Sequence, residues 1–301
     1  FRQTEVLRID PEARSVETSS GAVQYDALIL AAGAELALEA IPGLSGALEN
    51  GIAGHCWSLP GALQLRERLR CFAGGRILVV VARLPYKCPP APYEAALLIR
   101  DLVEERGLAS SSEIIVVTPE PSPLAVAGPS VGERLVSYLA SHGITVRTGE
   151  QLVSVDLRHH EVTFASGTRE LFDLLVVVPP HRAAAIARAA GLITGDWVPA
   201  ALGTMRTGVE GIWAIGDIAA VSVRPNLFVP KAAVFAQQQA ETAARDIARV
   251  LGYAAPEPEV RAFGRCWFLA GRGLAGAIEG DFLAEPLPAV TFQLPTKEGF
   301  A

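Results

Sequence analysis

Apolar residues fall along the chain in two distinct rhythms. An unbroken aliphatic run at 77–82 and short apolar, β-branched stretches within 113–118 and 144–148 predict buried strands. Between them, 93–106 and 131–142 carry apolar residues at helical spacing. Strand, helix, strand, helix, strand over Arg76 to Glu150 predicts a doubly wound α/β unit. Helices are also predicted over 61–71 and over the alanine-rich stretch AAVFAQQQAETAARDIARVL that follows Lys231.

The second rhythm is alternation, and it occurs twice. Leu7 to Ala34 and Val153 to His181 each have a strand ending in Asp (Asp10, Asp156) and a second strand (from Val16, from Val162). Each continues with a Ser-Gly turn (Ser20-Gly21, Ser166-Gly167), an aromatic-Asp pair (Tyr25-Asp26, Phe172-Asp173) and a buried strand. The shared order predicts a duplicated domain. The α/β unit lies ahead of the second copy, while only a few residues precede the first. A leading βαβ unit with its G-x-G-x-x-G turn is therefore expected to be missing from the first domain. On that expectation the chain alone holds its cofactor weakly and is inactive.

Composition narrows the classes. With a net charge of −6 over 301 residues and no basic stripe, nucleic acid is not expected as a partner. No apolar run reaches the roughly 18–20 residues of a membrane span, although a mean hydropathy of +0.31 leaves peripheral membrane contact open. Cys56, Cys71, Cys88 and Cys266 are scattered without a Cys-x-x-Cys pair. Together with five histidines at no metal-binding spacing, they predict neither a zinc site nor a secreted disulfide framework. Cys71, closing the 61–71 helix, reads as a packing residue.

The turn after the first buried strand carries the chemistry. A dinucleotide site would place glycines there, so that backbone N–H groups and the helix dipole meet a pyrophosphate. The chain instead has PYKCPPAPYE, where Pro85, Pro89, Pro90 and Pro92 remove donors and stiffen the turn. NADH is therefore not expected to bind. Cys88, close to the helix start and beside Lys87, is expected to have a lowered thiol pKa; a buried structural cysteine is the plainer alternative.

LILAAGA (Leu28 to Ala34) and GVEGIWAIGDIAAV (Gly208 to Val221) in this two-copy layout resemble the two-dinucleotide-domain flavoproteins of the glutathione reductase type. The resemblance implies FAD, with Ala32 and Gly33 in one turn and Gly216 and Asp217 in the other. Ala32 departs from the family's usual Thr. KCPPAPYEAALLI narrows the match: it resembles the sulfide:quinone oxidoreductases and the flavoprotein subunit of flavocytochrome c sulfide dehydrogenase. Cys56 in GHCWSLPGALQLRERL, Cys266 in GRCWFLAGRGLAGAIEGDF and the Pro230-Lys231-Ala232 entry to the last helix also match. Ala233 stands where that family often has Gly, and Pro60 where it has a His.

That resemblance implies α/β architecture with two Rossmann-like domains of the glutathione reductase type, the first incomplete, and a small C-terminal α+β domain. The expected boundaries are 1–44 and 180–252 for the FAD domain, 45–179 for the second Rossmann-like domain and 253–301 for the C-terminal domain. It implies that sulfide opens a disulfide or polysulfur bridge between Cys88 and Cys266 and that electrons pass through FAD to a quinone. Cys88 is the thiolate expected beside the flavin. Glu94 is the candidate acid/base, or simply a carboxylate favouring its helix N-terminus. Lys231 is expected either to stabilise negative charge at the flavin ring or to be solvated. Cys56 carries a covalent flavin, a persulfide or neither. Trp267 and Phe268 are expected to line a quinone pocket or to be ordinary core. The implied location is peripheral to a prokaryotic-type membrane, or else cytoplasmic. A type II NADH:quinone dehydrogenase, a subunit passing electrons to a cytochrome and an inactive flavin-fold protein are the competing readings.

Overall fold

A computed structural model describes residues 3–225 and 227–299. The chain divides into two units, Phe1–Glu35 with His181–Phe263, and Leu36–Pro180 with Gly264–Ala301.

The larger unit is built on a five-stranded parallel sheet in the order Ala53–Gly54, Leu174–Val178, Gly75–Val81, Ser112–Val117, Ile144–Arg147. The central strands are covered on both faces, which is why Ile77 to Val81 and Leu174–Val178 are written as continuous aliphatics. Each residue from Ile77 to Val81 is fully buried. Burial of each such side chain contributes about 1.5–3 kcal/mol of transfer free energy. Helices Ala91–Glu105 and Pro129–Ser141 run between strands, each with a proline in its first turn, where a missing N–H costs nothing. Helix Leu59–Cys71 opens on Ser58, whose hydroxyl accepts the Gly61 N–H at 3.2 Å. Cys71, expected to pack, is exposed where this helix ends.

The repeat is visible in the backbone. Strands Val6–Asp10, Ser15–Thr18 and Gly21–Gln24 form one antiparallel sheet, and Leu152–Asp156, Glu161–Phe164 and Arg169–Leu171 form its counterpart. Ile9 pairs with Val16 as Val155 pairs with Val162, and both ladders slip once, at Val6/Arg8 and at Leu152/Ser154. Asp10 and Asp156 each accept turn N–H groups, and each is followed four residues later by a left-handed residue, Arg14 (φ 48°) and His160 (φ 51°).

The C-terminal strands Phe263–Gly271, Leu274–Asp281 and Ala289–Thr296 form one sheet. Expected as a domain of its own from 253, its residues from Gly264 onward instead group with the larger unit. Phe292 makes edge-on contacts with Phe268 at 5.2 Å and with Tyr138 of helix Pro129–Ser141 at 6.2 Å between ring centres. Phe268 is therefore core and cannot line a quinone pocket, whereas Trp267, next to it on the opposite face, is exposed under Arg265.

In the smaller unit, strand Ile212–Ala214 pairs parallel with Leu28–Leu30. Helix Ala233–Val250 packs beside the turn that follows Ile212–Ala214, and its buried Asp246 accepts the Trp213 indole N–H at 2.8 Å and two bonds from Arg206.

Candidate functional site

Two groupings carry the residues singled out from sequence, one in each unit. In the larger unit, Cys88 lies between strand Gly75–Val81 and helix Ala91–Glu105 in left-handed backbone, φ 57°. A non-glycine residue held there costs about 1–3 kcal/mol, so the surrounding turn must enforce it. Enforcement is local and non-local. Pro89 and Pro90 restrict one side, the Ala91 N–H closes on the Cys88 carbonyl at 3.0 Å, and the Trp57 indole N–H donates to the Lys87 carbonyl at 3.3 Å. Trp57 thereby ties the Cys56 segment to the Cys88 turn.

Cys56, Cys88, Cys266 and Glu94 form one electrostatic cluster: Glu94 acts on all three thiols, and Cys88 responds to both other cysteines. All four cysteines of the chain are free thiols. The expected lowering of the Cys88 pKa is reversed. Burial pushes it up to about 12, with the Glu94 charge adding to the effect, and the Ala91 N–H offsets only part. Burial likewise pushes Cys56 up to about 11 and raises Cys266. Cys88 and Cys56 meet solvent on one side and packed protein on the other, and the packed side dominates.

Glu94 is also raised by burial, and its Oε1 accepts the Leu269 backbone N–H at 2.8 Å. It is thus a partly desolvated carboxyl facing thiols rather than a solvated helix-cap charge. A groove of about 360 Å³ runs outward from Cys56 and Glu94 between helices Leu59–Cys71 and Ala91–Glu105, lined by Leu65, Leu69, Leu98 and Leu269.

The helix N-terminus behind Cys88 has no donors to spare. The Ala91, Tyr93 and Glu94 N–H groups close on the carbonyls of Cys88, Pro90 and Pro90, and Pro92 has none. Glu120, Tyr86 and Tyr93 pack beneath this turn; no local pattern in the sequence marks them.

In the smaller unit, the parallel pairing of Ile212–Ala214 with Leu28–Leu30 brings the Ala32-Gly33 and Gly216-Asp217 turns out at the same, carboxyl end of both strands, where open α/β folds bind ligands. Gly33 (φ 71°) has open space where a Cβ would stand, so a ligand can approach the backbone closely. Gly216 (φ 71°) donates its N–H to Gln239 Oε1 at 2.6 Å, which fixes the turn against the last helix.

Lys231 is buried, not solvated. Its ammonium donates to the carbonyls of Asp217 (2.8 Å) and Ala219 (2.7 Å) and lies 3.6 Å from the centre of the Trp197 ring. Burial lowers its pKa to about 7, opposed by the Asp217 carboxylate. Two turns opened by glycine and a buried lysine with only carbonyl acceptors fit the ribityl and ring end of a flavin, which Ala32, Gly33, Gly216, Asp217 and the Pro230-Lys231-Ala232 entry would hold. Among the described residues no group of His, Cys, Asp and Glu could hold a metal ion.

The family model for pyridine nucleotide-disulphide oxidoreductases matches residues 92–240. The fold is that of the FAD-binding pyridine nucleotide-disulphide oxidoreductases. A sulfide:quinone oxidoreductase from Aquifex aeolicus superposes on this oxidoreductase fold with a TM-score of 0.78 at 20% identity, covering 100% of this chain and 72% of that one. A ferredoxin reductase from Rhodopseudomonas palustris gives 0.65 at 24% identity over 93% of this chain and 64% of its own. An NADH dehydrogenase-like protein of Mycobacterium tuberculosis is 28% identical over 232 residues, 72% of this chain. The chain spans about half (54%) of the length of that curated relative.

Proposed function

We propose that the protein is a flavin-dependent oxidoreductase that oxidises sulfide through Cys88 and Cys266 and delivers the electrons to a quinone. The observation that carries the reading is the gathering of three thiols and the Glu94 carboxyl where a nucleotide-binding turn would otherwise be. Similar folds include a sulfide:quinone oxidoreductase and an NAD-dependent persulfide reductase from A. fulgidus, the latter at a TM-score of 0.60.

In this reading HS⁻ attacks the Cys266 sulfur of a Cys88–Cys266 bridge. A new S–S bond forms, the bridge bond breaks, and Cys88 leaves as a thiolate bearing the released electron pair. Glu94, its pKa raised by burial, takes up the proton of the new persulfide. Burial disfavours the charged form of Cys88, so the thiolate lasts only until it is protonated or its electrons pass on. FAD, once bound, supplies a two-electron acceptor, with quinone as the terminal oxidant. Because a quinone is dissolved in lipid, the proposed location is the surface of a membrane; no helix of the described residues is long and apolar enough to cross one.

The second reading is an NADH:quinone dehydrogenase, favoured by the 28% identity to an NADH dehydrogenase-like protein. The donor-poor helix N-terminus counts against it. Anaerobic mixing of the full-length flavoprotein with sulfide or with NADH separates the two. Sulfide is expected to bleach the flavin band, and Cys88→Ser to abolish that bleaching while leaving the protein yellow. Bleaching by NADH and not by sulfide would put the second reading first.

A further inference from the structure

Strand Ser112–Val117 runs out into Thr118-Pro119-Glu120, and Glu120 turns inward, 4% exposed. In a dinucleotide-binding domain an acid at the end of the second strand meets ribose hydroxyls. Here the hydroxyls are the protein's own. Glu120 Oε2 accepts Tyr93 O–H at 2.7 Å, Thr118 O–H at 3.0 Å and Tyr86 O–H at 3.4 Å, and Oε1 accepts the Ala125 N–H at 3.3 Å. None of these partners carries positive charge, and burial raises the carboxyl's pKa.

Two of the three hydroxyls belong to the Cys88 segment. Tyr86 lies two residues before the cysteine and shares its one O–H proton between Glu120 and the Pro89 carbonyl just after the cysteine, at 3.1 Å. Tyr93 lies in the first turn of the helix that follows, one residue before Glu94. A single carboxyl thus gathers both flanks of the left-handed residue, at a distance in sequence from either. Both tyrosines are themselves buried, so without the carboxyl Tyr93 has no water to turn to and Tyr86 is left with the Pro89 carbonyl alone.

We propose that Glu120 is a positioning residue for Cys88: through Tyr86 and Tyr93 it holds the proline turn closed around the thiol, the acid of the ribose site having been turned to this use. The inference rests on Cys88 being the reactive cysteine. The charged and titratable groups about that thiol are Glu94, Cys266, Cys56, Tyr86 and the adjacent Lys87.

The test is site-resolved alkylation of the intact protein by iodoacetamide across pH, read by mass spectrometry, for wild type, Tyr86→Phe, Glu120→Gln and the double variant. Releasing the clamp opens the turn to water, so the Cys88 midpoint is expected to move down toward an ordinary thiol. A one-unit move raises the thiolate fraction at pH 8 about tenfold and, since a less basic thiolate is less nucleophilic, speeds its alkylation about three- to fourfold. Cys266 is expected to keep its rate, and the double variant to show no more than either single change, as partners in one network do. Unchanged Cys88 kinetics in folded single variants would overturn the proposal, as would equal acceleration of every thiol. Tyr86→Phe, which removes one oxygen and no packing, decides the matter if Glu120→Gln does not fold. Alkylation needs no sulfide, so failure of sulfide to bleach the flavin would refute the functional reading and leave the positioning result standing.

Discussion

Lys231 and Cys88 are shifted by the same force in opposite directions, since burial penalises whichever form is charged. For Lys231 the consequence for stability can be worked out. The folded protein releases this proton at about 7, and the unfolded chain at its ordinary 10.5. Between those values the unfolded state binds more protons, so stability rises with pH across that window. Below about 7 both states are protonated and the penalty is complete; above 10.5 it is gone. Urea midpoints measured from pH 7.5 to 9.5 are expected to rise more steeply for wild type than for Lys231→Met. Parallel profiles would mean that the ammonium is solvated. The Pro-Lys helix entry makes this lysine a candidate from sequence, but its burial is not legible there. Its place follows from Trp197 and from two carbonyls in a turn more than ten residues away.

At the scale of the element, the helix Ala91–Glu105 begins with its own N–H groups satisfied. An anion site needs donors facing outward, and here they face the turn. NADH and NADPH are accordingly expected not to bind: titration of the flavoprotein with NADH should leave the nicotinamide fluorescence that of free NADH. Saturable quenching at micromolar concentrations would contradict this. The proline turn, the parallel strands and both helices of the α/β unit could be read directly, because each is encoded in contiguous residues. The clasp under the turn could not be. Glu120, Tyr86, Tyr93 and Trp57 become neighbours only through the order in which the strands assemble, and none belongs to a recognisable pattern. The Cys88 pKa is illegible for the same reason. Lys87 and the helix start are visible in sequence, whereas the desolvation that raises the thiol is produced by packing.

For the whole chain, duplication and C-terminal packing set the plan. The two hairpin sheets repeat one another down to the slipped register and the left-handed turn residue, and that periodicity was already written in the Asp, Ser-Gly and aromatic-Asp order. What the sequence left open was where the last strands go. They pack on helix Pro129–Ser141 through Phe292 and so bring Cys266 into the same unit as Cys88. Phe292→Ala should cost about 3–5 kcal/mol in unfolding free energy, the usual range for an aromatic removed from a core. It should also speed alkylation of Cys266 while leaving Cys56 unchanged. Equal rates at Cys266 in variant and wild type would show that this sheet is held by other contacts.

Glu94 is met by the main chain of Leu269, a residue 175 positions away, and not by its side chain. Mutational tolerance on the two sides of this contact is therefore unequal. Any amino acid at 269 except proline brings the same N–H, so drift there can reshape the wall of the groove without unseating the acid. The carboxylate has no such latitude, because aspartate is one methylene too short and glutamine surrenders the charge. Variation among relatives is expected to collect at the strand position and to spare the helix position.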